Sequence, residues 1–378
     1  MNKIYFDNAA TTQIDSEVIN VITNSMREVY GNPSSTHQFG RTAKSMVEKV
    51  RKSIAKRLNV TASEIVFTAG GSEADNLILH NAVTNLGVKR IITSKIEHHA
   101  VLHTIERLEN EHAIKVDYVN FLADGTIDTN HLETLLTTDD SKTLVSLIYV
   151  NNEIGTILDV RRVSQLCQEN NALFHSDSVQ AIGHYHLDLQ EIPIDFMVAS
   201  AHKFHGPKGV GFAYFKKGFG IKPILTGGNQ ERGARAGTEN IHSILGMDKA
   251  LELAYQDLDT DIENIQSLKD YFIEQLQSSF SKIEFNGTIN PKNSSYVILN
   301  VRFPKTIEML LFSLDIKGIA ASGGSACQSG SLGGSHVLNA ILSENDANKT
   351  SVRFSFSKHN TKEEVDVVIA VLKDVLNK

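Results

Sequence analysis

A chain of 378 residues, 41% hydrophobic and 21% charged, is long enough to bury a large core and to divide into two domains. Its net charge of −7 gives no electrostatic basis for nonspecific nucleic-acid binding. The start, Met1-Asn-Lys-Ile-Tyr-Phe-Asp7, lacks the apolar core of a signal peptide, and no run reaches membrane-spanning length, so no membrane association and a cytoplasmic location are expected.

From Ile14 to about Leu245, apolar strand-like runs alternate with helix-like segments, the pattern of an α/β sheet wrapped by helices on both faces. Within Glu64 to Leu79 a short apolar strand passes through Gly70-Gly71 into helical periodicity. Such a turn makes an anion site: the glycines admit a close approach, Ser72 offers a hydroxyl and an N-cap, and the first helical N–H groups point at the anion. Simple chain reversal accounts for the same pattern, and the spacing is neither a P-loop nor a dinucleotide fingerprint. After the strand Arg90–Thr93, His98 is placed to stack on a flat ring and exchange protons; after the strand from Thr143 to Ile148, Asn152 can reach that ring or a substrate. Cys167 takes an apolar position of a helix-like segment and reads as inert core.

Phe174 to Ala181 reads as a buried strand carrying Asp177 and Gln180. A buried aspartate keeps the ring nitrogen of pyridoxal phosphate protonated, and an amide can hydrogen-bond the ring hydroxyl. Downstream, Ala199 to Gly209 sets Lys203 among small residues, histidines and glycines just ahead of a strand from Val210 to Phe215. Most lysines are solvated surface charges, but in a partly desolvated pocket the neutral amine is favoured and can join a carbonyl cofactor. The glycine cluster from Gly206 to Gly211 leads into a strand, not a helix, which argues against a nicotinamide site. Leu245 to Phe280 carries a helical stripe, Leu251, Leu253, Ile262, Ile265, Leu268, Phe272 and Leu276, bridging to a smaller domain with a strand from Ser295 to Val301 and a helix from Lys362. Between them, Ser322 to Ser335 holds ten Gly or Ser in fourteen residues around Cys327, a composition suited to carrying a thiol into and out of a pocket. The two cysteines form neither a disulfide framework nor a Cys/His metal spacing, so no resident metal is expected.

Taken together, these segments resemble the cysteine desulfurases of the class V aminotransferase group, fold-type I pyridoxal-phosphate enzymes, in the long-loop branch serving iron–sulfur cluster assembly. The resemblance runs through Asp7-Asn-Ala-Ala-Thr-Thr12, Tyr30-Gly-Asn-Pro-Ser-Ser35, Gly70 to Asn76, Glu97-His98, Asn151-Asn-Glu-Ile-Gly155, Asp177 to Gln180, Ser200 to Gly209, Gly227 to Thr238 and the cysteine loop. It implies a large α/β domain with a mainly parallel sheet over residues 14–250, and a smaller α+β domain from residues 1–13 and 251–378 that carries the cysteine loop. It makes Lys203 the lysine that holds the cofactor, Asp177 the partner of the ring nitrogen and Gln180 that of the ring hydroxyl. Gly71, Ser72, Ser200 and His202 would bind the phosphate, and Thr238 would reach the phosphate of a neighbouring subunit, which implies a homodimer. His98 would stack on the ring with Asn152 nearby, Arg353 would hold the substrate carboxylate, and Cys327 would take the sulfur. Ser72 stands where threonine is commoner; the hydroxyl is kept. The implied reaction converts L-cysteine to L-alanine and passes sulfur, as a Cys327 persulfide, to an acceptor protein such as an iron–sulfur scaffold, with Cys327 touching a nascent cluster only in passing. Selenocysteine lyase and class V aminotransferase activity are the alternatives on this scaffold, told apart by whether Cys327 is needed and whether a keto acid accepts the amino group. A non-enzymatic persulfide carrier is disfavoured by the intact Lys203, Asp177 and phosphate turn.

Overall fold

The computed structural model describes residues 3–323 and 334–376. Strand β1 (Ile4–Tyr5) is followed by helices α1 (Ser16–Glu28) and α2 (Gln38–Arg57). Strands and helices then alternate as β2 (Ile65–Thr68), α3 (Gly71–Thr84), β3 (Arg90–Thr93), α4 (His99–His112), β4 (Lys115–Tyr118), α5 (Thr129–Thr137), β5 (Thr143–Ser146), α6 (Val160–Glu169) and β6 (Leu173–Ser176). With β7 (Phe196–Ser200) and β8 (Gly211–Phe215) they complete a seven-stranded sheet of order β2-β8-β7-β6-β5-β3-β4, in which only β8 runs against its neighbours.

The near-continuous apolar strands follow from burial on both faces. Every residue of β2, β3, β5, β7 and β8 is buried, whereas edge strand β4 is largely open. Alternate side chains feed two cores: Val66, Leu144 and Val198 join Leu77 of α3 and Val101 of α4, while Phe67, Val145 and Met197 join Val50 of α2 and Val163 of α6. Because β2, β3, β5, β6 and β7 point the same way, the segments leaving their C-terminal ends converge on one edge of the sheet. In an open α/β sheet that edge is where ligands bind.

The rest of the chain forms α7 (Ile241–Gln256), α8 (Leu258–Ser279), β9 (Glu284–Asn286), β10 (Ile298–Arg302), α9 (Leu310–Ile316), β11 (Ile319–Ala320), α10 (His336–Ile341), α11 (Glu344–Ala347), β12 (Ser351–Ser355) and α12 (Lys362–Leu376). β12-β10-β9 make an antiparallel sheet, and β1 pairs in parallel with β11. The helical stretch expected from Leu245 to Phe280 is two helices, which break at Asp257, so α7 packs on α1 and α2 while α8 packs on α12. The stripe itself is core: Leu251, Ile265, Leu268, Phe272 and Leu276 are buried. Phe272 meets the rings of Phe6, Phe354 and Phe356 at 5.0–6.0 Å, which fastens the N-terminal strand to the C-terminal half. Residue 250 falls inside α7, and one apolar core runs from Phe6 through Val145 to Phe354. Among the described residues no helix is long and apolar enough to cross a membrane.

Candidate active site

A cavity of about 190 Å³ opens at the convergent strand ends, with Lys203, Asp177, Gln180, His98, Asn152 and Arg353 in its wall. A neighbouring hollow beside His184 leaves about 30 Å³, enough for water but not for a ring.

Lys203 leaves β7 in a short 3-10 turn, Ala201–Lys203. The turn is tight: the Gly206 N–H donates to the Ala201 carbonyl at 2.9 Å, and a Cβ on Gly206 would stand 2.8 Å from that oxygen. The Lys203 amine donates to the carbonyls of Ala9 (2.6 Å) and Ala10 (2.9 Å), and Gln180 Nε2 donates to the same Ala9 oxygen at 2.9 Å. The Asp7-Asn-Ala-Ala motif thus supplies backbone acceptors that fix the lysine and the amide on one wall.

Asp177 and Gln180 do not lie within the strand; β6 ends at Ser176, and both follow it in a turn that Asp177 builds by accepting the Val179 N–H at 3.0 Å. Asp177 is buried, yet it faces the cavity. Another carboxyl shares this wall. Asp75, on α3, is buried, and burial, then the charge of Asp177, push its carboxyl well above the ordinary range.

At the phosphate turn the expected N-cap is displaced: Gly70 occupies it, and Ser72 is the second residue of α3. Gly70 has φ 155°, a conformation that residues with a Cβ rarely adopt, which is why glycine and not serine makes the entry. A Cβ on Gly71 would meet Val179 Cγ2 at 2.6 Å, so any side chain there would have to displace Val179. Ser72, Ser200 and His202 complete this end of the cavity. Burial, with Lys203 and Lys208 adding to it, lowers His202 to about 4, and its buried Nδ1 has no hydrogen-bond partner among the described residues.

His98 caps α4, its Nδ1 accepting the Ala100 N–H at 3.1 Å, and its side chain lines the cavity. Glu97 beside it is buried; burial raises its carboxyl to about 8, while its Oε1 accepts the Ser94 hydroxyl at 2.6 Å. Arg353, on β12, is 1% exposed and donates from Nη1 to the Asn152 carbonyl (2.7 Å) and from Nη2 to Asp7 Oδ1 (2.9 Å), and its buried Nε has no partner among the described residues. Cys327 lies outside the described residues. The residues that flank its segment are rooted at the cavity. Ser322 bridges the Arg353 backbone and donates to Asp7 Oδ1 at 2.7 Å, and the Ser335 hydroxyl donates to Glu153, next to Asn152. Thr238 is exposed and is not part of this wall. Cys167 is buried, and burial pushes its thiol far up, which suits an inert core residue.

The donor set fits pyridoxal phosphate: a helix N-terminus with a glycine cradle and the unpartnered His202 Nδ1 for the phosphate, a carboxylate for the ring nitrogen, an amide for the hydroxyl and an amine for the aldehyde. Sequence reasoning missed Asp75, which lies four residues after Gly71 and so on the same helix face, and the partnership of Asp7 with Arg353, which has no local signal.

The model of the family described as Aminotransferase class-V matches residues 4–368. A cysteine desulfurase IscS of Dictyoglomus turgidum is 38% identical over 381 residues, covering 100% of this chain and 95% of that protein. A putative cysteine desulfurase IscS 1 of Bacillus subtilis is 40% identical over 382 residues, with 100% of both chains covered. Among solved structures, a NifS-like protein superposes with a TM-score of 0.91 at 35% identity, again with 100% of both chains covered.

Proposed function

We propose, from the premise that the chain belongs to the aminotransferase class-V family, that it is a pyridoxal-phosphate-dependent cysteine desulfurase that converts L-cysteine to L-alanine and hands on the sulfur. The observation that carries this reading is the cavity in which Lys203, Asp177, Gln180 and the Gly70–Ser72 turn meet, with the flanks of the Cys327 segment rooted beside it. The cofactor, when bound, supplies an electron sink for the substrate's α-carbon.

The chain's own groups do the rest. Lys203 would hold the cofactor through its amine, the group also placed to carry the substrate's α-proton. Asp177 keeps the ring nitrogen protonated, Gln180 orients the ring hydroxyl, and Gly71, Ser72, Ser200 and His202 hold the phosphate. His98 would stack on the ring, with Asn152 beside it in the wall. Arg353, already oriented by Asp7 and the Asn152 carbonyl, binds the substrate carboxylate. The Cys327 thiolate attacks the substrate sulfur: an S–S bond forms as the Cβ–S bond breaks, and the organic fragment leaves as alanine after taking up protons. An acceptor protein such as an iron–sulfur scaffold then receives the sulfur. Thr238, exposed on its loop, completes the phosphate site of a second subunit in a cytoplasmic homodimer, and the chain divides into a large domain (14–250) and a small one (1–13 and 251–378).

Borohydride reduction of the protein loaded with pyridoxal phosphate, followed by peptide mapping, tests the reading. The label is expected on Lys203 and absent from Lys203→Ala. A label on another lysine would refute the assignment.

A further inference from the structure

Asp75 and His175 are buried polar side chains that the reaction outlined above does not use. Asp75 lies one turn into α3, and His175 lies on β6 two residues before Asp177; they are 1% and 0% exposed. Asp75 Oδ1 and His175 Nε2 face each other at 3.3 Å, and among the described residues neither atom has a hydrogen-bond partner. The other ring nitrogen, Nδ1, lies 2.8 Å from the Ser146 hydroxyl on β5. Buried polar atoms are rarely left unpaired, and one proton between these two satisfies both.

The proton can sit in two ways: as a carboxylate facing an imidazolium, or as a carboxylic acid facing a neutral imidazole. The surroundings choose. Asp75 shares the cavity wall with Asp177, and two anions in one dry site repel each other, as paired carboxylates do. Burial lowers His175 to about 3, while burial first, and then the charge of Asp177, raise Asp75, so both groups favour the neutral pair.

We propose that Asp75 is a positioning residue for Asp177: it donates one shared proton to His175 and, by staying neutral, leaves Asp177 as the anion that meets the ring nitrogen of the cofactor. The inference rests on the cofactor reading of the cavity. It requires His175 to carry its own proton on Nδ1 and to donate it to the Ser146 hydroxyl.

Histidine-selective 15N labelling of the enzyme, with and without pyridoxal phosphate, reads the pair directly once the His175 signals are identified by their loss in His175→Gln. A neutral ring protonated at Nδ1 is expected throughout about pH 6 to 9. Asp75→Asn, which keeps a donor and adds no charge, should preserve that tautomer and hold the cofactor Kd within about threefold. Asp75→Leu removes the donor and should move the Nε2 signal and weaken cofactor binding about tenfold or more. An imidazolium signal would overturn the proposal. So would a tenfold loss of cofactor affinity in Asp75→Asn, because Asp75 would then act as an anion, and so would unchanged affinity in Asp75→Leu. If the wild type bound no pyridoxal phosphate, the cofactor reading would fall and Asp75's role with it, whereas the His175 signals would still report the shared proton.

Discussion

Glu97 is buried behind the cavity wall, next in sequence to His98, and its charge state can be tested by one isosteric change, Glu97→Gln. Burial lifts its carboxyl from an ordinary 4.5 to about 8, so at neutral pH the folded protein holds a proton there that the unfolded chain has released. A raised folded-state value contributes stability that is complete below 4.5 and is lost as pH rises through 8. Each pH unit in that window costs ~1.4 kcal/mol, or about 5 kcal/mol across it, with no discount for solvent because the group is buried. For a chain of 378 residues the unfolding entropy is roughly 0.8 kcal/mol/K, so the whole window corresponds to about 6 °C in Tm. Glutamine mimics the protonated acid and does not titrate. Thermal unfolding of both proteins in matched buffers should therefore show the midpoint of Glu97→Gln gaining on that of the wild type by about 3 °C between pH 5.5 and 7.5, then levelling off above about 8.5. A difference that stays constant across this range would mean that Glu97 is ionised in the folded protein, and the reasoning from burial would fail.

Lys269 offers the opposite case. It is 1% exposed, its amine donates at 2.7 Å to both the Ser294 hydroxyl and the Ser295 carbonyl, and burial lowers it from 10.5 to about 8. Its contribution is present above 10.5 and lost as pH falls through 8, so wild type should gain about 3 kcal/mol on Lys269→Met between those values; parallel unfolding curves would refute this. Gly71→Ala should drive Val179 out of place and weaken pyridoxal-phosphate binding by about tenfold, with Gly71→Ala/Val179→Ala recovering most of it; binding measured by absorbance decides, and unaltered affinity in the single variant would remove the cradle from the account. Asp177→Asn should fold and bind cofactor yet lose at least about 100-fold in alanine production, since the amide does not hold the ring nitrogen protonated; activity within a few fold of wild type would exclude that role.

The sheet was legible because its strands are apolar runs buried on both faces, and the site because Lys203, Asp177 and the Gly70–Gly71 turn lie at strand ends, where local sequence and function coincide. Details that depend on distant partners were not. Serine is the usual cap, and only the φ of Gly70 shows why glycine takes the position. The break at Asp257 leaves no mark in the apolar periodicity, because α7 and α8 each bury their own part of the same stripe. The Arg353 contact with Asp7 spans 346 residues, and the Asp75–His175 pair joins a helix to a strand 100 positions away. Such contacts exist only once the sheet has formed.

The central claim is that the Lys203 cavity and Cys327 together split L-cysteine. A single-turnover reaction of the cofactor-loaded protein with L-cysteine, followed by alanine quantitation and mass spectrometry of the intact chain, tests it directly. Wild type should release one alanine per site and gain one sulfur atom on Cys327, while Cys327→Ser should bind cofactor normally and gain none. Sulfur on Cys167 instead, or undiminished alanine release by Cys327→Ser, would contradict the account.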